Sequence, residues 1–230
     1  MLILSNPHNP TGNIWDRDVL AAIGSLARKN DVIVVSDEIH CDITDPDINY
    51  VPYLAAASEN AGNSKTCISP TKAFNLAGLH TSAIVIPDKT IRRRKKEGLH
   101  SQRIDGANAF AVQAAVSAFQ KGGAWLDSLR RYLFENKQLV RAGLEAELPE
   151  LKLIPSQATY LLWIDGTRVV TDNGLSLTQS IRKRTGLFLS DGAQFGNGGE
   201  GFLCMNIASH YSMVQDGLER LITAIKAMRR

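Results

Sequence analysis

The chain has 230 residues, of which 44% are hydrophobic and 21% charged, and its formal net charge is +3. This composition is typical of a globular protein with a real core, and it excludes disordered, collagen-like and disulfide-scaffold classes. Three scattered cysteines without a C-x-x-C pair predict a reducing compartment, the cytoplasm, and no apolar run approaches the roughly 20 residues of a membrane span.

In the first half of the chain, short apolar strands alternate with an amphipathic helix. Strand patterns lie at residues 2–4, 32–35, 66–68 and 82–86, and apolar residues at helical spacing predict a helix over 16–29. The run at 32–35 consists only of β-branched residues, which is typical of a parallel strand buried on both faces. The alternation predicts an α/β fold with a mostly parallel, helix-covered sheet.

The second half changes character. Long helices are predicted from about residue 107 to 148, with an interruption at the glycine pair 122–123. A small α+β unit then follows, predicted from a strand at 159–164, a helix at 176–184, strands at 187–190 and 202–207, and a closing helix at 212–228. We therefore predict two domains, one over residues 1–140 and a smaller one over 141–230.

One strongly basic run occurs, at residues 92–96. No aromatic residue is interleaved with it, and the net charge of the chain is mild. The run is therefore predicted to be the solvated start of a helix, and no nucleic-acid partner is expected.

Polar residues cluster where three of the predicted strands end. The segments are N-P-H-N-P-T-G at 6–12, S-D-E-I-H at 36–40 and S-P-T-K at 69–72. Taken singly, they are typical of a turn, a helix cap and a solvated lysine. In open α/β sheets, however, ligands bind beyond the carboxyl ends of the strands, so together they predict an amide, a carboxylate and an amine in one cleft.

These three segments occur in order with F-N-L-A-G at 74–78 and G-G-E-G-F at 198–202. The set resembles the pyridoxal-phosphate-dependent class I/II aminotransferase family of fold type I, and within it the MalY/PatB-type cystathionine β-lyases. The resemblance runs along essentially the whole chain. It implies the C-terminal part of the fold type I transferase architecture plus a small α+β domain, pyridoxal 5′-phosphate as cofactor, and a homodimer.

The resemblance also implies roles for individual residues. Lys72 would form the Schiff base with the cofactor and shuttle the Cα proton, because only an amine can do both. Asp37 would pair with the pyridine nitrogen, and Asn9 would donate to the phenolate oxygen of the ring. His40 stands where many aminotransferases have a tyrosine that contacts the same oxygen, and Ser69 would bind the cofactor phosphate.

The activity implied is carbon–sulfur β-elimination from cystathionine or a related cysteine S-conjugate, giving pyruvate, ammonia and a thiol. An aminotransferase shares each step up to loss of the Cα proton, so transamination remains an alternative. The spacing Ser69-x-x-Lys72 also matches serine acyl-transferases related to penicillin-binding proteins, but their Ser-Asp-Asn element is missing from the sequence.

The sequence departs from the family pattern in three respects. It begins where a family member is about two-fifths complete, so the N-terminal part of the cofactor domain is expected to be missing. The family's F-x-R-x-N segment, whose arginine clamps the substrate carboxylate, here carries Cys204, and a later arginine of the lyase branch is replaced by Tyr211. We therefore expect weak or no turnover by this chain, and an inactive relic or interaction module remains an alternative.

No metal site is expected. Neither Cys41 nor Cys204 has a histidine at the spacing that metal ligands require.

Overall fold

The computed structural model describes residues 1–171 and 174–229. The strands in this part of the chain are β1 (Leu2–Ser5), β2 (Val34–Asp37), β3 (Ser64–Ile68), β4 (Ala83–Val85), β5 (Lys152–Leu153), β6 (Leu161–Asp165), β7 (Ser190–Asp191) and β8 (Phe202–Asn206). The α-helices are α1 (Arg17–Lys29), α2 (Tyr53–Ala56), α3 (Pro70–Ala73), α4 (Lys89–Ser101), α5 (Ala111–Lys121), α6 (Gly123–Glu147), α7 (Leu177–Thr185) and α8 (Tyr211–Met228).

The chain forms two compact units. The first comprises residues 1–9 and 13–130, and the second comprises residues 10–12 and 131–230. The predicted boundary near residue 140 lies in the same helix as the division at residue 130, and the two-domain division stays a prediction. Asp172, Asn173 and Arg230, which fall in the predicted small domain, lie outside the described residues.

The sheet of the first unit has the strand order β1-β2-β3-β4. The first three strands are parallel, with Ser5 opposite Asp37 and Asp37 opposite Cys67. Strand β4 is antiparallel to β3, so the predicted mostly parallel sheet is confirmed with one antiparallel edge. Parallel strands that end together direct the residues after them to the same edge of the sheet.

Strand β2 begins two residues later than its β-branched run predicts. The reason is local, because the Val32 amide donates to the Ala27 carbonyl oxygen at 2.8 Å and so belongs to the end of α1. The expectation of burial on both faces was only partly right, since Val34 is fully buried whereas Val35 is half-buried. Leu20 of α1 is buried in the same apolar cluster as Val34 of β2.

The sheet of the second unit has the order β5-β6-β8-β7 and is antiparallel throughout. Its apolar face and one stripe each of α6, α7 and α8 form a single core. In α8 the buried residues Val214, Leu218, Leu221 and Ile225 recur at intervals of three and four, as an amphipathic helix requires. The predicted α+β arrangement is present. The two-residue strand β5 was missed, and the strand predicted at 187–190 is instead the two-residue strand β7 at Ser190–Asp191.

Within the described residues, we find no helix that combines the length and the apolar character needed to cross a membrane.

Candidate functional site

The candidate site is built on the carboxyl edge of the first sheet. Because Ser5, Asp37 and Cys67 are neighbours in the strand register, the segments that follow β1, β2 and β3 leave the sheet side by side. Adjacent strands are separated by about 4.8 Å, which is within the reach of side chains on neighbouring loops. The three predicted polar segments are therefore brought to one edge.

Asp37 is the last residue of β2, and its side chain is half-buried. One carboxylate oxygen accepts a hydrogen bond from the Ile39 amide at 3.3 Å. This contact orients the carboxylate at the strand end.

Lys72 lies on α3, the single helical turn that follows β3. The turn begins at Ser69, whose hydroxyl oxygen accepts the Thr71 amide at 3.2 Å, and Pro70 occupies the first helical position, where no amide hydrogen is needed. Phe74 ends the turn and stacks on Trp125, with 5.7 Å between ring centroids. The amine is thus held on a short but doubly anchored element.

His40 lies three residues beyond the end of β2, and its pKa is affected by both Lys72 and Asp37. Its side chain is only 4% exposed, and burial lowers the pKa of the imidazole below its ordinary value. The positive charge of Lys72 lowers this pKa further, while the Asp37 carboxylate raises it. Lys72 and Asp37 thus both act on the charge of His40, and the net direction favours its neutral form.

Ser69 is buried, and its hydroxyl proton is already engaged. The Ser69 Oγ donates to the Thr81 carbonyl oxygen at 2.7 Å, so the Thr71 hydroxyl, also 2.7 Å away, must donate to Ser69. A phosphate needs donors, so Ser69 can serve one only by releasing Thr81. The phosphate role of Ser69 stays a prediction, and the half-buried Thr71 hydroxyl is engaged in the same way, because its one proton is donated to Ser69.

Asn9 lies in the loop after β1, and its side chain is exposed. Its backbone amide donates to the Ser5 hydroxyl oxygen at 3.4 Å. The structure places Asn9 at the same sheet edge, and its role toward a cofactor ring stays a prediction. The first asparagine of the motif, Asn6, is instead fully buried and structural.

The sequence missed a buried polar network behind the site. Glu38 is 2% exposed, and its carboxylate accepts hydrogen bonds from the Ser36 hydroxyl at 2.8 Å and the Tyr53 amide at 2.9 Å. Burial raises the pKa of Glu38. The available signal was the pair Asp37-Glu38 after a buried strand, because successive side chains there point to opposite sides.

The position expected to carry the substrate-binding arginine holds no cation. Cys204 lies in β8 of the second unit, is 5% exposed, and has its pKa raised by burial to about 11. Tyr211, at the start of α8, has no cationic group either. Over residues 1–171 and 174–229, no group of three or more His, Cys, Asp or Glu side chains is arranged to hold a metal ion.

Comparison with known proteins identifies relatives over nearly the whole chain. The family model described as aminotransferase class I and II matches residues 1–225. Cystathionine β-lyase PatB of Bacillus subtilis is 40% identical over 98% of this chain and 58% of its own length. Protein MalY of Escherichia coli is 30% identical over 100% of this chain and 58% of its own.

The fold agrees with solved structures as well. Cystalysin from Treponema denticola, whose crystal structure contains a pyridoxal 5′-phosphate cofactor, has a TM-score of 0.93 and 30% identity over 98% of this chain and 57% of its own. A pyridoxal-phosphate-bound C-S lyase from Staphylococcus hominis has a TM-score of 0.89 and 32% identity over 97% of this chain and 57% of its own. The predicted resemblance and fold type I architecture are confirmed, and the chain spans just under three-fifths of the length of these relatives.

Proposed function

The chain belongs to the aminotransferase class I and II family, and from this membership we propose that it binds pyridoxal 5′-phosphate at the carboxyl edge of its first sheet. The reaction proposed is carbon–sulfur β-elimination from cystathionine or a related cysteine S-conjugate, with pyruvate, ammonia and a thiol as products. The observation that carries the proposal is the parallel strand register, which brings the segments that bear Asn9, Asp37 and Lys72 to one edge of the sheet.

The residues at this edge fit the cofactor by their chemistry. Lys72 supplies the amine for covalent attachment, and Asp37 supplies a half-buried carboxylate for the ring nitrogen. Asn9 and His40 would contact the ring oxygen, and Ser69 would contact the phosphate. When bound, the cofactor supplies an aldehyde that reacts with amines and a ring that takes up the electron pair left at Cα.

The chain's own groups divide the proton transfers. The neutral amine of Lys72 accepts the proton from Cα of the substrate, while Asp37 keeps a proton on the ring nitrogen. Burial lowers the pKa of His40 and so favours a neutral imidazole, which leaves Asp37 as the charged partner of the ring nitrogen. The sulfur substituent at Cβ would then leave with its bonding electrons and take up the proton held by Lys72, and water would hydrolyse the enamine that remains to pyruvate and ammonia.

The chain lacks the arginine that is expected to bind the substrate carboxylate. A neutral, buried thiol at Cys204 cannot replace the bidentate contacts of an arginine. Loss of one partner of a desolvated charge pair costs about 2–5 kcal/mol, which corresponds to a factor of about 30 to several thousand in binding. We therefore expect cofactor attachment to be retained and turnover to be slow.

Transamination is the second candidate, because several relatives at lower identity are aspartate aminotransferases, such as that of Pyrococcus horikoshii at 21%. The 40% identity to a cystathionine β-lyase favours elimination. Release of pyruvate from cystathionine without an added keto acid would support the lyase.

The proposal also includes a homodimer in the cytoplasm. An exposed apolar stripe on α5, formed by Val112, Val116 and Phe119 at helical spacing, supports a subunit contact. The three scattered cysteines, without a C-x-x-C pair, support a reducing compartment. Analytical ultracentrifugation of the chain would measure its oligomeric state.

The test is covalent labelling of the chain. After addition of pyridoxal phosphate and reduction with borohydride, peptide mass spectrometry should locate the label on Lys72, and Lys72→Ala should lower the label at least about tenfold. Lys65→Ala, on the half-buried strand β3, is the matched control and should label as the unchanged chain does. Equal labelling of Lys72→Ala would refute the proposed site, and no labelling at all would favour the relic or interaction module.

A further inference from the structure

A buried carboxylate lies between two candidate cofactor residues and has no assigned role. Glu38 follows Asp37 directly and precedes His40 by two residues, yet its side chain points away from the sheet edge into the first unit. Its carboxylate accepts hydrogen bonds from the Ser36 hydroxyl at 2.8 Å and from the amide of Tyr53, three residues after Tyr50, at 2.9 Å.

Tyr50 extends this network to the neighbouring strand. Its hydroxyl donates to the Asn6 carbonyl oxygen at 2.9 Å, and the Asn6 side-chain amide points back to it at 3.3 Å. Asn6 is itself fully buried, and its side-chain oxygen accepts the Trp15 amide at 3.2 Å. The segment from Tyr50 to Tyr53 is thus hydrogen-bonded to Glu38 beyond the end of β2 and to Asn6 beyond the end of β1.

The network lies where the regular pairing of β1 and β2 ends and the loops of the candidate site begin. The regular ladder between β1 and β2 ends with the Asn6 amide donating to the Asp37 carbonyl oxygen at 3.0 Å. Beyond that bond, the regular pairing of β1 with β2 does not continue. Hydrogen bonds to a buried carboxylate are stronger than neutral ones, and a buried donor that loses its partner bears its full desolvation cost.

We propose that Glu38 and Tyr50 are positioning residues that fix the loop carrying Asn9 relative to the loop carrying Asp37 and His40. The inference rests on the proposed function, because only a ring held by both loops makes their spacing matter. Neither residue is expected to touch cofactor or substrate. Both act through the backbone of the loops that they hold.

The first experiment uses the 230-residue chain without cofactor. In Tyr50→Phe and Glu38→Gln, amide hydrogen exchange at Asn6 and Glu38 should become about tenfold faster, because one buried hydrogen bond is lost or mismatched. Exchange within α1 should not change. Tyr132→Phe is the matched control, since it removes a single hydroxyl-to-carbonyl bond, to Ser209 at 3.0 Å, in the second unit.

The second experiment measures the dissociation constant for pyridoxal phosphate in the same variants. It should rise about tenfold in Tyr50→Phe and Glu38→Gln and stay unchanged in Tyr132→Phe. Faster exchange confined to residues 50–53, or spread equally through α1, would overturn the positioning role. If the unchanged chain binds no pyridoxal phosphate, the proposed function fails, while the exchange pattern still decides whether the network holds the two loops.

Discussion

The two units of the molecule are stabilised by different kinds of contact. The second unit encloses one apolar cluster that joins its sheet to α6, α7 and α8. The first unit has a smaller apolar cluster around Leu20, Val34 and Tyr53, and it buries a polar network centred on Glu38. The candidate site lies on the first unit, the one that buries this polar network. A buried network fixes its members in direction as well as in distance, which an apolar core does not.

The largest expected effect comes from the apolar unit. Leu221→Ala empties a fully buried site in α8 and should lower the free energy of unfolding of the second unit by about 2–5 kcal/mol. Urea unfolding monitored by hydrogen exchange would measure this decrease in the free energy of unfolding. Leu26→Ala, at a 62% exposed position of α1, is the control and should cost far less.

The same experiment tests the comparison itself. If the units are stabilised independently, Leu221→Ala leaves exchange at the Asn6 and Glu38 amides unchanged. Equal acceleration at those amides would mean that the two units unfold together, and the contrast between them would be lost.

An intermediate effect is expected at Gly12, the last residue of the three-residue segment that belongs to the second unit. Its φ is +68°, and an added Cβ would lie 2.3 Å from the Ala158 carbonyl oxygen and 2.7 Å from Ser156 Cβ. Gly12→Ala should therefore cost about 1–3 kcal/mol of stability and weaken the bond from the Gln157 amide to the Gly12 carbonyl oxygen. Thermal unfolding would measure the cost.

Gly98→Ala provides the matched comparison for this prediction. Gly98 lies in the exposed helix α4, and an added Cβ meets no atom within 4 Å. Since alanine favours the helix, this variant should be slightly more stable than the unchanged chain. A Gly12→Ala variant as stable as Gly98→Ala would show that the segment adapts without strain.

The smallest expected effect is a pH dependence of the polar unit. Burial raises the pKa of Glu38 above its ordinary value of 4.5, so the folded state binds this proton more tightly than the unfolded state. The free energy of unfolding should therefore fall as pH rises from near 4.5 through the raised pKa, and it should stay lower above it. Glu38→Gln should remove this decline, whereas Glu59→Gln, at an exposed position, should keep it.

Urea titrations between about pH 4 and about pH 8 would measure the slope. If the free energy of unfolding of Glu38→Gln falls with pH as before, the decline belongs to another titrating group. The ionised Glu38 carboxylate would then not destabilise the folded state.

Local patterns in the sequence were sufficient for most of the strands, for the long helices and for the grouping of polar residues at strand ends. The segments around Asn9, Asp37 and Lys72 were predicted correctly to meet at one sheet edge, because parallel strands impose that meeting whatever their exact bounds. The family resemblance was likewise contained in motif order. The shift of β2 was missed because the Val32 amide is used by α1, a contact that hydrophobic pattern does not report.

By itself, then, the sequence determined which chemical groups are present and on which strand ends they lie. Only the tertiary structure decided which of these groups already have hydrogen-bond partners. The Ser69 hydroxyl donates to the Thr81 carbonyl oxygen, and the Glu38 carboxylate accepts the Tyr53 amide. The physical reason is that a hydroxyl has one proton and a buried carboxylate needs several donors, and these partners come from residues distant along the chain.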